Sequence, residues 1–135
     1  MKKLNLMWIA LSAAMLIFSY SCSKAPHLRP GYVPPEEIVE KFHDALQWQD
    51  FDTARLMVSP NARKAFEEFS NKNENKLNVV EYKIVNMEMK DDGYTVKVKV
   101  RRNFFVYPSV TSQEVEFIQT WELVGGRWLL SGPPF

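Results

Sequence analysis

Acid–base chemistry is most often carried out by a histidine or a carboxylate inside the fold, and this chain offers few candidates for that role. His43 lies beside Asp44, but consecutive residues of a helix point about 100° apart and cannot form a pair on one face. His43 lies just outside the apolar face of its segment, so we expect it at the rim or surface. No Asp or Glu alternates into the apolar face of a predicted strand. The sequence therefore predicts no catalytic residue.

Two amide side chains, Gln49 and Gln119, fall on otherwise apolar faces. A buried amide left without partners costs about 1–3 kcal/mol. The two amides therefore either line an interior cavity, with Tyr82 and Tyr94 as companions, or are amides satisfied by their neighbours in the core or at the open end of the sheet. We favour the second interpretation, because most buried polar side chains are hydrogen-bonded within the protein.

Charged side chains of the second half form two stripes of opposite sign on neighbouring strands. The basic stripe is Lys97, Lys99 and Arg101, and the acidic stripe is Glu114, Glu116 and Glu122. Cross-strand pairing explains both stripes. Because the opposite charges neutralise each other, we do not expect an anion-binding role.

Three apolar residues share the parity of that charged face: Phe105, Tyr107 and Ile118. If the strand runs without a bulge, they form an apolar patch on the outside, and such patches mark contacts with partners. A bulge near Arg102 and Asn103 would turn Phe105 and Tyr107 inward and remove the patch.

The single cysteine of the chain, Cys22, lies at the end of a leader. Lys2 and Lys3 precede an apolar stretch over residues 7–18, which ends in Ser19-Tyr20-Ser21-Cys22. This layout resembles a bacterial lipoprotein signal, in which a small residue comes directly before the cysteine. The resemblance implies cleavage after residue 21 and a diacylglyceryl thioether on Cys22. An ordinary secretory signal and an uncleaved anchor are the alternatives.

Composition limits the function of the remaining chain. Residues 22–135 carry fifteen basic and sixteen acidic residues, a net charge of −1. A clustered basic face is therefore not expected, which argues against nucleic-acid binding. Two histidines and no cysteine beyond Cys22 argue against a transition-metal site, and no cofactor is predicted. Residues 22–34 form the lipidated cysteine and a proline-rich tether, and residues 35–135 form one domain.

Residues 36–69 have the apolar spacing of helices. Residues 36–49 form one amphipathic helix with a broad apolar face that includes Gln49. Asp52 or Thr53 caps a second, short helix that runs to residue 58. Ser59 and Pro60 begin a third helix that ends near residue 69. Residues 70–76 are predicted to be a solvated connection.

The apolar period changes from 3.6 to 2 after residue 76. Strands are predicted over residues 77–89, from Tyr94 through residue 107, over 115–123 and over 127–131. Asp91-Asp92-Gly93 and Gly125-Gly126 provide tight turns, and residues 108–112 form a further turn region. Helices followed by an antiparallel meander indicate an α+β fold, with N-terminal helices packed on a curved four-stranded antiparallel sheet.

A family resemblance follows from these elements. The long first helix, the segment Gln-Asp-Phe-Asp-Thr-Ala-Arg and the final hairpin Trp-Glu-Leu-Val-Gly-Gly-Arg-Trp-Leu-Leu resemble the nuclear transport factor 2-like (cystatin-like cone) superfamily. The resemblance implies a cone whose mouth holds a small ligand and a sheet whose outer face forms a dimer. Enzymes of this superfamily, such as ketosteroid isomerase, place an acid or a His–Asp pair in the cone.

The expected function is that of a membrane-anchored envelope lipoprotein whose domain binds a ligand or partner without catalysis. The partner is an envelope protein or a second copy of the chain. The alternative is a small enzyme of the isomerase or dehydratase type acting on an apolar molecule, with Tyr82, Tyr94 and Gln119 in the cone. Ser23 follows the cysteine where sorting signals place an aspartate, so the periplasmic side of an outer membrane is favoured in a two-membrane cell.

Overall fold

The computed structural model describes residues 31–135. The predicted leader, Cys22 and most of the tether lie outside this range. Within it, three α-helices precede four β-strands: α1 (Pro35–Gln47), α2 (Phe51–Arg55), a 3₁₀ turn (Pro60–Ala62), α3 (Arg63–Asn73), β1 (Leu77–Met89), β2 (Thr95–Val106), β3 (Gln113–Val124) and β4 (Arg127–Leu130). No helix in residues 31–135 is long and apolar enough to cross a membrane.

Helix α1 begins one residue earlier and ends two residues earlier than predicted. Pro35 occupies the first helical position and two glutamates follow it in the first turn, an arrangement that the helix dipole favours. Gln49 adopts a left-handed backbone with φ of 59°. The N–H of Gln49 donates to Leu46 and the N–H of Asp50 donates to Ala45, which closes the helix.

The other helices differ from the prediction at their ends. Asp50, rather than Asp52 or Thr53, caps α2, because its carboxylate accepts a hydrogen bond from the Thr53 N–H at 3.0 Å. The Ser59 side chain makes no capping hydrogen bond, and a 3₁₀ turn precedes α3. Helix α3 extends to Asn73, so the predicted connection over residues 70–76 is helical for more than half of its length.

The four strands form an antiparallel meander in the order β1-β2-β3-β4, as predicted. Strand β2 pairs with β3 without a register shift from Thr95 to Phe104. The expected alternative of a bulge near Arg102 is therefore wrong for this pair. The register shifts lie in β1, after Val79 and after Ile84, where extra residues bend an edge strand.

The core lies between the helices and the concave face of the sheet. Its largest fully buried side chains come from α1, α3 and β3: Phe42, Leu46, Phe66 and Trp121. Phe42 contacts Trp121 edge-to-face at 5.6 Å and packs on Phe66 at 6.1 Å. One cluster of aromatic and aliphatic side chains thus joins the helices to the sheet.

Candidate functional site

Three buried polar side chains meet on the concave face of the sheet: His43 from α1, Arg102 from β2 and Gln119 from β3. We call them the interior polar cluster. His43 and Gln119 have no exposed surface, and Arg102 is 5% exposed. Arg102 and Gln119 have the same parity as the buried valines of β2 and Trp121 of β3. The strand period therefore turns both side chains inward.

Hydrogen bonds within the cluster determine the tautomer of His43. Arg102 Nη2 lies 3.4 Å from His43 Nδ1, and a guanidinium can only donate. Nδ1 is therefore the acceptor, and Nε2 carries the proton that is donated to Gln119 Oε1 at 3.1 Å. Trp121 Nε1 donates to the same oxygen at 3.3 Å, which also defines the orientation of the Gln119 amide.

Burial keeps His43 neutral. Its pKa is lowered from 6.5 to about 3, first by desolvation and second by the positive charge of Arg102, while the hydrogen bond to Gln119 opposes the shift. Desolvation also lowers the pKa of Arg102, to about 10. At neutral pH the cluster therefore holds one cation and one neutral imidazole.

Besides His43, two neighbours hold Arg102. Its Nη1 donates to the main-chain oxygen of Phe135 at 2.8 Å, and its guanidinium lies 4.9 Å from the centre of the Phe117 ring, a cation–π distance. Its Nε has no hydrogen-bond partner among residues 31–135. None of the ion pairs in that range includes Arg102.

Tyr82 of β1 covers the outer side of His43. The two rings stack at 5.1 Å with an interplanar angle of 28°. The Tyr82 hydroxyl donates to the carboxylate of Asp44 at 2.6 Å and lies 3.3 Å from the main-chain oxygen of Glu40. Burial, followed by the hydrogen bond to Asp44, raises the pKa of Tyr82. Tyr82 therefore stays protonated at neutral pH. The carboxylate that accepts its hydrogen bond belongs to Asp44, which is exposed.

The segment after β4 folds back onto the cluster. Ser131 is held by its N–H and hydroxyl, which both donate to the Thr120 main-chain oxygen. Beyond it, Gln119 Nε2 donates to the Pro134 main-chain oxygen at 3.1 Å. The Phe135 ring is buried and packs against Phe66 at 5.2 Å and Phe69 at 5.6 Å. We call Gly132–Phe135 the folded-back segment.

The structure separates the four polar residues that one of the two interpretations placed together in an interior cavity. Gln119 is buried as predicted, and Tyr82 is half-buried beside the cluster. Gln49 lies beyond the end of α1 and donates to Asn78 Oδ1 at 3.3 Å, so it does not reach Gln119. Tyr94 is 64% exposed and precedes β2. The prediction that Gln49 and Tyr94 line the interior is wrong, because both lie in turns outside the regular elements.

The expected surface position of His43 is also wrong. Its side chain lies at the edge of the helical apolar face, where the partner that packs against it decides its burial. Tyr82 and the cluster supply that partner. Arg102 was missed as an interior residue, although the alternation of Val96, Val98 and Val100 continues to it. That parity was a usable signal in the sequence.

Some of the predicted cross-strand ion pairs are present on the outer face of the sheet. Glu116 pairs with Lys99 at 3.4 Å and with Arg101 at 3.1 Å, and Glu114 lies 4.0 Å from Arg101. Glu122 lies opposite Thr95 in the β2–β3 register. These groups stay at the surface, and the hydrogen bond from Arg101 is the main cause of the lowered pKa of Glu116.

The three residues of the expected apolar patch do not form one surface. Phe105 and Tyr107 contact each other edge-to-face at 5.3 Å. Ile118 is exposed but lies opposite Lys99, six residues from Phe105 along β2, which corresponds to about 20 Å. The ion pairs of Arg101 lie between them along the strands.

No group of three metal-ligating side chains occurs in residues 31–135.

Comparisons with known proteins identify the fold. No protein-family model matches the sequence, and no curated protein is significantly similar to it. A SEC-C motif containing protein from Rhodopseudomonas palustris aligns with a TM-score of 0.62 at 19% identity, over 72% of this chain and 74% of that chain. An LEH-like epoxide hydrolase from M. tuberculosis aligns with a TM-score of 0.54 at 18% identity, over 70% and 77%.

A third structure, a ketosteroid isomerase-like protein from Erwinia carotovora atroseptica, aligns with a TM-score of 0.58 at 8% identity, over 72% of this chain and 88% of that chain. The helices and four-stranded antiparallel sheet of residues 31–135 therefore have the nuclear transport factor 2-like fold, as the sequence predicted. At these identities the likeness extends to the fold alone.

Proposed function

We propose that the protein is a lipid-anchored envelope protein whose nuclear transport factor 2-like domain binds a ligand or partner and does not catalyse a reaction. The observation that carries this proposal is the interior polar cluster. Its histidine is fully buried and neutral, and its hydrogen bonds join it to protein groups of residues 31–135. No carboxylate side chain in that range forms an ion pair with its arginine.

The protonation states argue against acid–base catalysis at this site. A general acid or base works best when its pKa lies near the operating pH. The pKa of His43 is about 3, so its imidazole is a weak base at neutral pH. The Tyr82 pKa is raised, so this hydroxyl does not ionise there. This site thus offers hydrogen-bonding groups, but neither His43 nor Tyr82 has a pKa near neutral pH.

The leader supports the envelope part of the proposal. Its two lysines, apolar stretch and Ser21-Cys22 have the order of a bacterial lipoprotein signal. Two or three acyl chains on Cys22 would hold the protein at a bilayer, because each buried methylene contributes about 0.8 kcal/mol. The outer membrane, on its periplasmic side, is the favoured location in a two-membrane cell.

Fatty-acid labelling tests the anchor. Cells expressing the full chain are grown with an alkyne-tagged fatty acid, and the purified protein is assayed for the tag. We expect the wild type to carry the tag and Cys22→Ala to lack it. An unlabelled wild type, or equal labelling of Cys22→Ala, contradicts lipidation at this cysteine.

A small enzyme is the second candidate. It is favoured by the names of structures with this fold, which include an epoxide hydrolase, a putative isomerase and a putative polyketide cyclase. The hydrogen bond between Tyr82 and Asp44 supplies a carboxylate beside a tyrosine. That carboxylate is exposed at the surface of α1 and is separated from the cluster by the ring of Tyr82.

Turnover assays distinguish the two candidates. The full chain is incubated with an epoxide and with a ketosteroid, and the products are quantified against buffer. We expect no turnover above buffer for the wild type or for Asp44→Asn. Turnover by the wild type that Asp44→Asn abolishes would contradict the binding proposal and establish the enzyme.

A further inference from the structure

Arg102 carries a buried positive charge whose oxygen partner is a main-chain atom of the folded-back segment rather than a carboxylate side chain of residues 31–135. The guanidinium is 5% exposed and forms no ion pair with a carboxylate side chain of residues 31–135. Its Nε has no acceptor in that range. Buried charges in proteins are normally paired, because desolvation of an isolated charge is costly. The site is therefore suited to an anionic group.

The folded-back segment meets the cluster through a small set of groups. Gln119 and Arg102 each donate to a main-chain oxygen of this segment, on Pro134 and Phe135 respectively. The Phe135 ring lies against Phe66 and Phe69. Two neighbouring oxygen acceptors and one apolar ring of this segment thus meet two buried donors and two aromatic side chains.

We infer that the interior polar cluster is a binding site for a small apolar carboxylic acid, and that the folded-back segment competes with the acid for this site. The inference rests on the proposed function, since it names the ligand class of the non-catalytic domain. A carboxylate offers an oxygen to each of the two donors and places a negative charge beside the guanidinium of Arg102. An aryl or alkyl body takes the place of the Phe135 ring.

The geometry allows this segment to leave without unfolding the sheet. Strand β4 ends at Leu130, and Ser131 remains fastened to Thr120 by two hydrogen bonds. Gly132, which follows, has open space around the position of an added Cβ. Release at Gly132 breaks the two hydrogen bonds to the cluster and frees the ring of Phe135. None of the residue pairs that join the four strands includes a residue of this segment.

Calorimetric titration of the detergent-solubilised full chain with 3-phenylpropanoate tests the inference. We expect weak saturable binding to the wild type and at least tenfold tighter binding to Phe135→Ala, which vacates the ring position. In the Phe135→Ala background, Arg102→Gln should weaken binding at least tenfold. The neutral analogue 3-phenylpropanamide should also bind at least tenfold more weakly. Phe105→Ala, which removes a ring from the outer face, should behave like the wild type.

A second measurement keeps the test decisive if Phe135→Ala fails to fold. In NMR spectra of the wild type, saturating 3-phenylpropanoate should shift the amide signals of Gly132 and Phe135 and leave that of Gly126 in place. Absence of saturable binding in both measurements overturns the inference, as does equal binding of acid and amide. Either result leaves the turnover assays unchanged, so the ligand class can fail while the non-catalytic proposal stands.

Discussion

At the scale of residues, Arg102 and its neighbour Arg101 show how one step along a strand changes the role of a side chain. Arg101 points outward and pairs with Glu116 in solvent, whereas Arg102 points inward and donates to Phe135. An exposed ion pair contributes little to stability. A buried guanidinium engages its aliphatic stem, its hydrogen bonds and the ring of Phe117 at once.

Substitution of these two arginines is therefore expected to have unequal effects. Arg102→Ala should lower the free energy of unfolding by about 2–4 kcal/mol, because it leaves a cavity and an unpaired acceptor. Arg102→Met should lower it less, since the stem volume is kept and the buried charge is removed. The loss for Arg101→Ala should be less than a third of that for Arg102→Ala. Denaturant unfolding of the three variants provides the measurement, and equal losses at both positions would contradict the assigned burial.

Sequence reasoning found one member of the cluster and missed two. Gln119 was recognisable because a polar residue interrupts the apolar parity of β3. Arg102 continues the same parity of β2, but a charge at a core position conflicts with the usual hydrophobic pattern. The burial of His43 depends on Tyr82, 39 positions later in the sequence. A helical periodicity contains no information about such a partner.

At the scale of elements, the strands were more predictable than the helix ends. The period of two is long and regular, and β1 spans the predicted residues. Helix α1 instead ends through the left-handed backbone of Gln49, which hydrophobic spacing does not reveal. Helix α3 continues past its apolar stripe into polar residues. Local backbone geometry and capping, rather than the apolar pattern, decide these boundaries.

The β3–β4 turn is an element whose geometry requires glycine. Gly125 and Gly126 have φ of 58° and 78°, in the left-handed region that a side chain disfavours. Gly126→Ala should lower the free energy of unfolding by about 1 kcal/mol. The matched control Gly132→Ala, where φ is outside this region and space is open, should change it by less than about half as much. Thermal unfolding compares the two, and a larger effect at Gly132 would contradict the backbone assignment.

At the scale of the whole molecule, the buried histidine couples stability to pH. The His43 pKa is about 3 in the folded protein and near 6.5 in the unfolded chain. Between these values the unfolded chain binds the additional proton, so stability falls as the pH decreases. The pKa values of Asp50, Asp92 and Glu116 are lowered, so these carboxylates also make stability fall as the pH decreases. Their effect is felt near and below pH 4, the ordinary pKa of carboxyl groups.

Unfolding free energies between pH 7.5 and 4.5 therefore isolate the contribution of His43. The wild type should be insensitive to pH above about 7 and should lose up to about 1.4 kcal/mol per pH unit below 6. His43→Gln should show a much flatter profile over this interval, whatever its absolute stability. A wild-type stability that is constant from pH 7.5 to 4.5 would contradict a neutral buried histidine.

The most direct measurement of the central claim, that the buried histidine is neutral and takes no part in acid–base catalysis, is the ¹⁵N NMR titration of His43 in the full chain, assigned by comparison with His43→Gln. We expect His43 to stay neutral from pH 8 to below pH 4.5, with the proton on Nε2 and Nδ1 unprotonated. A His43 pKa between 5 and 8, or a proton on Nδ1, would show an imidazole able to exchange protons near neutral pH and would contradict the account.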